Sequence, residues 1–122
     1  MDANEIPLEM SLSFPRELGR VPKKVQKAYE KSVLPRLLDS PDKEDPPKIK
    51  KLKGYKNLWR LRVSDDYRLV YKVENHMNNI KTITLLMIDH RKNIYDRLGA
   101  NENGEPGYRI VAEAEEFLEH EP

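Results

Sequence analysis

The sequence predicts an α+β fold, in which N-terminal helices pack on one face of an antiparallel β-sheet of about four strands and a C-terminal helix follows. Three observations support this class. Helical spacing of apolar residues dominates the first third of the chain, a meander of alternating residues covers 58–88, and helical spacing returns near the C-terminus. With 122 residues, the chain has the length of one ordinary domain.

The N-terminal elements follow from apolar spacing and from prolines. Residues 7–14 alternate weakly and predict a short strand, and residues 15–20 predict a single helical turn. Residues 22–38 predict an amphipathic helix with a proline at its start, which Pro35 should kink or divide into two turns. Residues 39–47 contain three prolines and predict a loop.

The central elements are a hairpin and a third strand. Residues 58–63 and 67–73 both alternate, and the three residues between them suit a hairpin loop. Residues 80–88 become apolar on both faces, as in a strand that is covered on both sides. A short helix is predicted over 92–98.

The chain divides into a folded domain over residues 1–100 and an acidic C-terminal extension over residues 101–122. In the extension, residues 109–119 place apolar side chains along one helical stripe, so a helix is predicted there. Its seven glutamates and one arginine sum to −6, which leaves +7 on the first hundred residues.

Composition excludes several classes of protein. The absence of cysteine excludes disulfides, thiolate nucleophiles and cysteine-based zinc sites. No apolar run approaches the ~20 residues that cross a bilayer, and the acidic N-terminus lacks the apolar region of a secretory signal. We therefore expect a cytoplasmic protein without membrane contact, and no motif predicts a metal or another cofactor.

A basic block indicates a polyanionic partner. Between residues 46 and 64 there are seven cationic residues and no acidic one. They are Lys48, Lys50, Lys51, Lys53, Lys56, Arg60 and Arg62. The alternative interpretation of such a block is a solvated, charged face.

Strand parity brings the cations of the hairpin to one face. With a loop at residues 64–66, Arg62 pairs with Arg68, and Arg60 and Lys72 share their face. Two arginines directly opposite each other destabilise a sheet unless an anion, such as a phosphate, bridges them. Alternatively, these arginines lie over tyrosine rings or pair with carboxylates from elsewhere in the chain.

Three further candidates lie where the third strand ends. His90, Arg91 and Tyr95 follow the strand at a position that often carries chemistry on a rigid scaffold. Histidine and tyrosine can transfer protons, and arginine stabilises negative charge on phosphorus. Each residue taken alone is more often a packing residue.

These motifs, in this order, resemble the RelE/ParE superfamily of bacterial and archaeal toxins. The resemblance covers residues 8–98 and is carried by LKGYKNLWRLRVSDDYRLVYKV and by IDHRKNIYDRL. It implies the RelE-like microbial RNase fold and a metal-independent mRNA endoribonuclease that acts in the ribosomal A site and inhibits translation. The 2′-hydroxyl of the RNA attacks the adjacent phosphate. Unlike the usual pattern, the chain has arginines at 60 and 62 where lysines are common, and it has a long acidic tail.

The resemblance implies roles for individual residues. Arg68 holds the scissile phosphate, and Arg62 is one of a pair of basic residues on the preceding strand. Arg91 acts on the leaving group, and Tyr95 serves as a base, for which His90 could substitute in proton transfer. The remaining cations are predicted to bind RNA. They are Lys50, Lys51, Lys53, Lys56, Arg60 and Lys72.

The resemblance also implies a cognate antitoxin, usually an acidic chain. The acidic extension of this protein could contact the basic groove in cis, or it could simply pack its apolar stripe on the core. Two alternatives to the ribonuclease remain open: a ParE-like toxin that inhibits a DNA topoisomerase, and a catalytically inactive binding protein with the RelE fold.

Overall fold

The predicted α+β class is confirmed by the structure, a computed structural model that describes residues 8–45, 48–76 and 81–98. The elements are β1 (Leu8–Met10), α1 (Phe14–Arg20), α2 (Lys23–Ala28), a π-helical turn (Tyr29–Val33), α3 (Leu34–Asp39), β2 (Ile49–Lys51), β3 (Leu58–Arg62), β4 (Tyr67–Asn75), β5 (Lys81–His90) and α4 (Arg91–Leu98). The acidic extension and its predicted helix lie outside the described residues.

The sheet has five strands in the order β1-β5-β4-β3-β2. Neighbours are antiparallel except β1, which runs parallel to β5. The sheet is therefore mixed, whereas an antiparallel sheet of about four strands was expected. The additional strand, β2, has only three residues and pairs Lys50 with Arg60 of β3. Its sequence, IKK, is too short for any periodicity, so its strand conformation depends on this pairing.

The N-terminal strand is shorter than the predicted 7–14. Chain direction changes at Ser11, whose N–H donates to the Leu85 carbonyl (2.9 Å) and whose hydroxyl donates to the Leu86 carbonyl (3.0 Å). Phe14 then begins α1 and is fully buried, with a proline in the first turn of the helix. The alternation of apolar residues here reflects a strand followed by a helix start.

The predicted amphipathic helix is present, and its internal proline divides it. Pro35 lies in the first turn of α3, directly after the π-helical turn. Proline donates no backbone hydrogen bond, and its ring crowds the preceding turn, so a local widening of the helix accommodates it. The buried residues Tyr29, Val33 and Leu37 still share one face, which packs on the sheet.

The hairpin register is the predicted one. The Val63 N–H donates to the Tyr67 carbonyl at 3.0 Å, and Arg62 lies opposite Arg68. Trp59, Leu61, Leu69 and Tyr71 enter the core under α1, α2 and α3. Arg60, Arg62 and Arg68 therefore lie on the opposite face of the sheet, as the parity required.

Both faces of the sheet are covered, although helices were predicted on one face only. The second face carries a smaller core that includes Leu58, Val70 and Ile94, with α4 packed over it. β5 is buried on both sides, as predicted. A β-bulge opposite Val70 and Tyr71 interrupts its alternation, so that the consecutive residues Leu86 and Met87 both enter the second core. The bulge thus changes which face the following residues of β5 point to, shortly before the candidate residue His90 at its end.

Candidate active site

A cationic cavity of about 460 Å³ opens beside the β3–β4 hairpin, where β5 gives way to α4. It contains five cationic side chains and one carboxylate, together with a histidine and a tyrosine. The lining residues are Arg60, Arg62, Asp66, Arg68, His90, Arg91, Lys92 and Tyr95. The fold thus brings together all five residues that were predicted to be catalytic. We call this space the arginine cavity.

Arg68 is the most constrained of these side chains. It is 7% exposed, and its Nη1 donates to the backbone carbonyls of Ser64 (2.7 Å), Asp65 (3.1 Å) and Tyr67 (3.0 Å). These bonds fix the guanidinium against the hairpin turn. Its Nε is buried without a hydrogen-bond partner among the described residues. The hairpin therefore holds Arg68 in place, with part of the hydrogen-bonding capacity of its guanidinium unused.

The electrostatic environment of Arg68 also favours an anion. Burial lowers the pKa of Arg68, and the neighbouring charges of Arg60 and Arg62 lower it further. A hydrogen bond and electrostatic attraction from Tyr95 act in the opposite direction but do not restore the ordinary pKa. The cationic form of Arg68 is thus held at a cost that a bound phosphate would offset.

Arg62 has an acidic partner, but an exposed one. Its Nη2 donates to Oδ1 of Asp65 at 2.9 Å, and the Asp65 side chain is 94% exposed. Such surface pairs contribute only about 0.2–1 kcal/mol, so a phosphate can compete for the guanidinium. Arg62 is therefore not neutralised by a buried carboxylate of the chain.

The hairpin turn and the start of α4 are joined by backbone bonds. The Arg91 N–H donates to the Asp66 carbonyl at 2.6 Å, which holds Arg91 beside the turn that carries Arg68. The Lys92 N–H donates to Nδ1 of His90 at 3.2 Å. In the neutral ring of His90, the proton therefore lies on Nε2, where it is available for donation.

Tyr95 reaches the arginines from α4. It follows Arg91 by four residues and therefore shares its side of the helix. Ile94 and Leu98 are buried on the opposite side and hold the helix on the sheet. The hydroxyl of Tyr95 interacts with Arg68, so a group that can exchange a proton lies next to a fixed guanidinium.

Most of the predicted RNA-binding cations lie outside the arginine cavity. Only Arg60 lines it, and Lys50 lies opposite Arg60 on β2. Lys51, Lys53 and Lys56 are exposed on β2 and on the loop that follows it. Lys72 pairs with Glu74 at 2.9 Å. The lysines of the basic block thus lie outside the cavity, whereas its two arginines, Arg60 and Arg62, are part of the wall.

Two lining residues were not predicted. Lys92 belongs to the His-Arg-Lys run at the start of α4, and that run was a usable signal. Asp66 contributes a backbone carbonyl that holds Arg91, a role that no side-chain motif reveals.

Residues 8–45, 48–76 and 81–98 lack two other features that would indicate a function. No group of three or more histidine, aspartate or glutamate side chains in these ranges could hold a metal ion. Within the same ranges, no helix combines the length and the apolar character that a membrane crossing requires.

Comparison with known structures supports the fold. The chain is 30% identical to a chain of the RelB–RelE antitoxin–toxin complex from Methanococcus jannaschii, with a TM-score of 0.55, and the match covers 72% of this chain and 95% of that one. The YoeB/ParE toxin from Agrobacterium tumefaciens has a TM-score of 0.58 at 17% identity, covering 70% and 99%. The archaeal RelE–RelB complex from Pyrococcus horikoshii has a TM-score of 0.55 at 21% identity, covering 71% and 96%.

Comparison of sequences identifies the family. Curated protein sequences gave no significant match. Residues 8–95 match the family model of the ParE toxin of type II toxin–antitoxin systems, parDE. This range includes the sheet, the helices α1 to α3 and the whole arginine cavity. The resemblance seen in the sequence is thereby confirmed, and the chain belongs to the ParE toxin family of type II toxin–antitoxin systems, within the RelE/ParE superfamily.

Proposed function

We propose that this toxin is an endoribonuclease that cleaves mRNA in the ribosomal A site and thereby inhibits translation. The observation that carries the proposal is the cross-strand pair of Arg62 and Arg68, which meets Arg91, His90 and Tyr95 in one cavity. A scaffold selected for stability alone gains nothing from opposing arginines. A phosphodiester placed between them explains their position.

The proposed reaction is an internal transfer of the phosphoryl group. The ribose 2′-oxygen forms a bond to the adjacent phosphorus, and the bond from phosphorus to the 5′-oxygen of the next nucleotide breaks. The products are a 2′,3′-cyclic phosphate and a 5′-hydroxyl end. One proton leaves the 2′-hydroxyl and one reaches the 5′-oxygen, so the step needs one base, one acid and no external reactant.

The cavity offers a residue for each of these tasks. The proposed base is Tyr95, next to Arg68, whose deprotonated phenol oxygen accepts the proton of the 2′-hydroxyl. The proton on Nε2 of His90, or the guanidinium of Arg91, is placed to serve the leaving 5′-oxygen. Arg62 and Arg68 stabilise the additional negative charge of the transition state, and donors fixed in advance contribute most at that point.

A second candidate function is suggested by the family model, which is that of ParE toxins. The resemblance implies that toxins of the ParE type bind a DNA topoisomerase and inhibit it, without cleaving RNA. A third candidate is an inactive protein that retains the fold for binding only. Neither accounts for a histidine and a tyrosine placed beside the arginines, so the ribonuclease is preferred.

The partners proposed for this toxin are the mRNA in the ribosomal A site and a cognate antitoxin. The Methanococcus and Pyrococcus relatives are toxins in complexes with their antitoxins. Because the arginine cavity is open, an acidic segment of an antitoxin could cover the same cations that bind RNA.

The test is induction of the wild-type protein and of two variants in a bacterial host, with growth followed and mRNA ends mapped. We expect wild-type protein to stop growth and to create new mRNA ends, and Arg62→Gln and Tyr95→Phe to do neither. Lys43→Gln, at an exposed loop position, is the control for the loss of one charge. Equal toxicity of Tyr95→Phe would contradict the catalytic assignment.

A supercoiling assay with DNA gyrase separates the second candidate. We expect purified toxin to leave gyrase activity unchanged while an in-vitro translation reaction stops. The reverse result would favour the topoisomerase inhibitor and reject the ribonuclease. Growth inhibition that both variants retain, without new mRNA ends, would favour the inactive binding protein.

A further inference from the structure

A second cavity adjoins the arginine cavity. It has a volume of about 350 Å³ and lies between α1 and the end of β5. Tyr67 lines it and contacts the ring of His90, which lines the arginine cavity, with ring centroids 5.6 Å apart and the rings nearly perpendicular. The consecutive residues Asp89 and His90 thus border two different cavities, and the Tyr67–His90 pair marks the boundary between them.

The acidic residues of the second cavity already have a partner. Arg97 donates to both carboxylate oxygens of Glu17, at 2.6 and 3.1 Å, and lies 3.5 Å from Oδ2 of Asp89. Burial alone would lower the pKa of Arg97, but hydrogen bonds and charge from Glu17 and Asp89 outweigh this and raise it. Arg97 thus occupies the carboxylates of Glu17 and Asp89, which do not compete strongly for other cations.

Two arginines of the same cavity have no such role. Arg16 and Arg20 are exposed, and neither side chain has a hydrogen bond or an ion pair with any residue in the described part of the chain. They are four residues apart in α1, so both guanidiniums lie on the same side of the helix. Two guanidiniums at this spacing can bind one anion, and unlike the exposed lysines of the next helix they line a cavity together with Tyr67.

We propose that the second cavity is a subsite for a nucleotide next to the scissile bond. Arg16 and Arg20 hold its phosphate, and the half-buried ring of Tyr67 contacts its base. Guanidiniums beside an aromatic ring form the usual combination for single-stranded nucleic acid, where base stacking contributes about 1–3 kcal/mol. The inference rests on the proposed ribonuclease function, since one RNA strand occupies both cavities.

The test compares a long and a short RNA. The probes are fluorescent 2′-O-methyl RNAs of nine and two nucleotides, which cannot be cleaved, and binding is measured by anisotropy at several salt concentrations. We expect R16Q/R20Q to bind the nine-nucleotide RNA about ten-fold more weakly and the dinucleotide unchanged. The slope of log affinity against log salt should fall by about 0.7–1.4, at about 0.7 for each phosphate contact that is lost.

The control variant is K27Q/K31Q. It makes the same change in net charge with the same four-residue spacing, at exposed positions that do not line the second cavity. We expect it to bind both RNAs as the wild type does. An equal loss in the control would overturn the proposal, because net charge alone would then explain the result.

The remaining outcomes separate the subsite from the proposed function. Wild-type affinity of R16Q/R20Q for both RNAs, with Arg62→Gln weakening both, overturns the subsite alone. A loss of affinity of R16Q/R20Q for a glutamate-rich peptide, with RNA binding intact, would identify the cavity as a protein-docking site and also overturn it. Failure of the wild type to bind either RNA would overturn the subsite, and cleavage of mRNA on the ribosome would then test the ribonuclease separately.

Discussion

At the scale of single residues, hydrogen bonds fix the position of the Arg68 side chain, whereas burial and the nearby cations disfavour its charge. Its Nη1 shares two protons among three backbone carbonyls, which fixes the guanidinium and contributes on the order of 1–2 kcal/mol in total. Against them stand its burial and the nearby charges of Arg60 and Arg62, which lower its pKa. The side chain is thus anchored in place while its charge is incompletely compensated, the condition expected of a residue that meets an anionic substrate.

The exposed partner of Arg62 gives a first prediction. Asp65→Asn removes the carboxylate that competes with a phosphate for Arg62, so we expect RNA affinity to rise by about two- to five-fold at low salt. Arg62→Gln should have the opposite effect. Anisotropy with the nine-nucleotide RNA measures both. Weaker binding by Asp65→Asn would show that the carboxylate positions Arg62 and does not compete for it.

The sequence predicted the residues of the cavity better than its surroundings. Parity and loop length sufficed to place Arg62 opposite Arg68, because hairpin register depends on local chemistry. The assignment of the lysines depended on charge density along the chain. The density of charge along the chain does not show which way each side chain points. Lys51, Lys53 and Lys56 were therefore expected near the RNA without any geometric reason.

At the scale of elements, the position of α4 decides whether the cavity exists. The helix carries Arg91 and Tyr95 and packs on the second face of the sheet. Glu17 of α1 connects it to the first layer, because this carboxylate binds Arg97 and also accepts the Ile88 N–H of β5 at 3.3 Å. One acidic residue therefore joins α1, β5 and α4.

This connection gives a second prediction. Glu17→Gln replaces two charge-assisted hydrogen bonds to the half-buried Arg97 with at most one to a neutral oxygen, so we expect the free energy of unfolding to fall by about 1–2 kcal/mol. We also expect faster amide exchange in α4. Urea unfolding and hydrogen exchange measure these effects, and Glu9→Gln on the exposed strand β1 is the control.

An unchanged rate of amide hydrogen exchange in α4 would contradict the role given to the Glu17–Arg97 contact. It would mean that the apolar contacts of Ile94 and Leu98 alone position the helix.

The elements that were predicted incorrectly are those that depend on tertiary pairing. β2 has three residues and forms against β3, and β1 is parallel to β5 because the chain passes through the helices before returning to the sheet. The bulge in β5 has no composition of its own. By contrast, the division of the long helix at Pro35 followed from the missing N–H of proline, which is a local property.

At the scale of the whole molecule, buried tyrosines make folding sensitive to alkaline pH. Burial raises the pKa of Tyr29 and Tyr55 to about 12, and burial also raises the pKa of Tyr71. The hydroxyls of Tyr55 and Tyr71 donate to the carbonyls of Leu98 and Pro41, so their protonated forms are built into the fold. These side chains reach both cores.

The third prediction follows from the sign of these shifts. In the unfolded chain these tyrosines ionise near pH 10, so their stabilising contribution is complete below pH 10 and is lost as the pH rises towards 12. We expect the free energy of unfolding in urea to fall over that interval and late tyrosinate absorbance to appear together with unfolding. Complete ionisation of all six tyrosines near pH 10 in a folded protein would contradict the buried assignments.

The most direct test of the central claim is cleavage of mRNA in a reconstituted translation reaction, with and without one 2′-deoxy nucleotide at the mapped cut. We predict a 2′,3′-cyclic phosphate and a 5′-hydroxyl at that cut, loss of the cut with the 2′-deoxy nucleotide, and a fall in rate of about 100-fold or more for Arg62→Gln and Tyr95→Phe. Intact mRNA, or a cut that persists without the 2′-hydroxyl, would contradict the claim that the arginine cavity holds a scissile RNA phosphate.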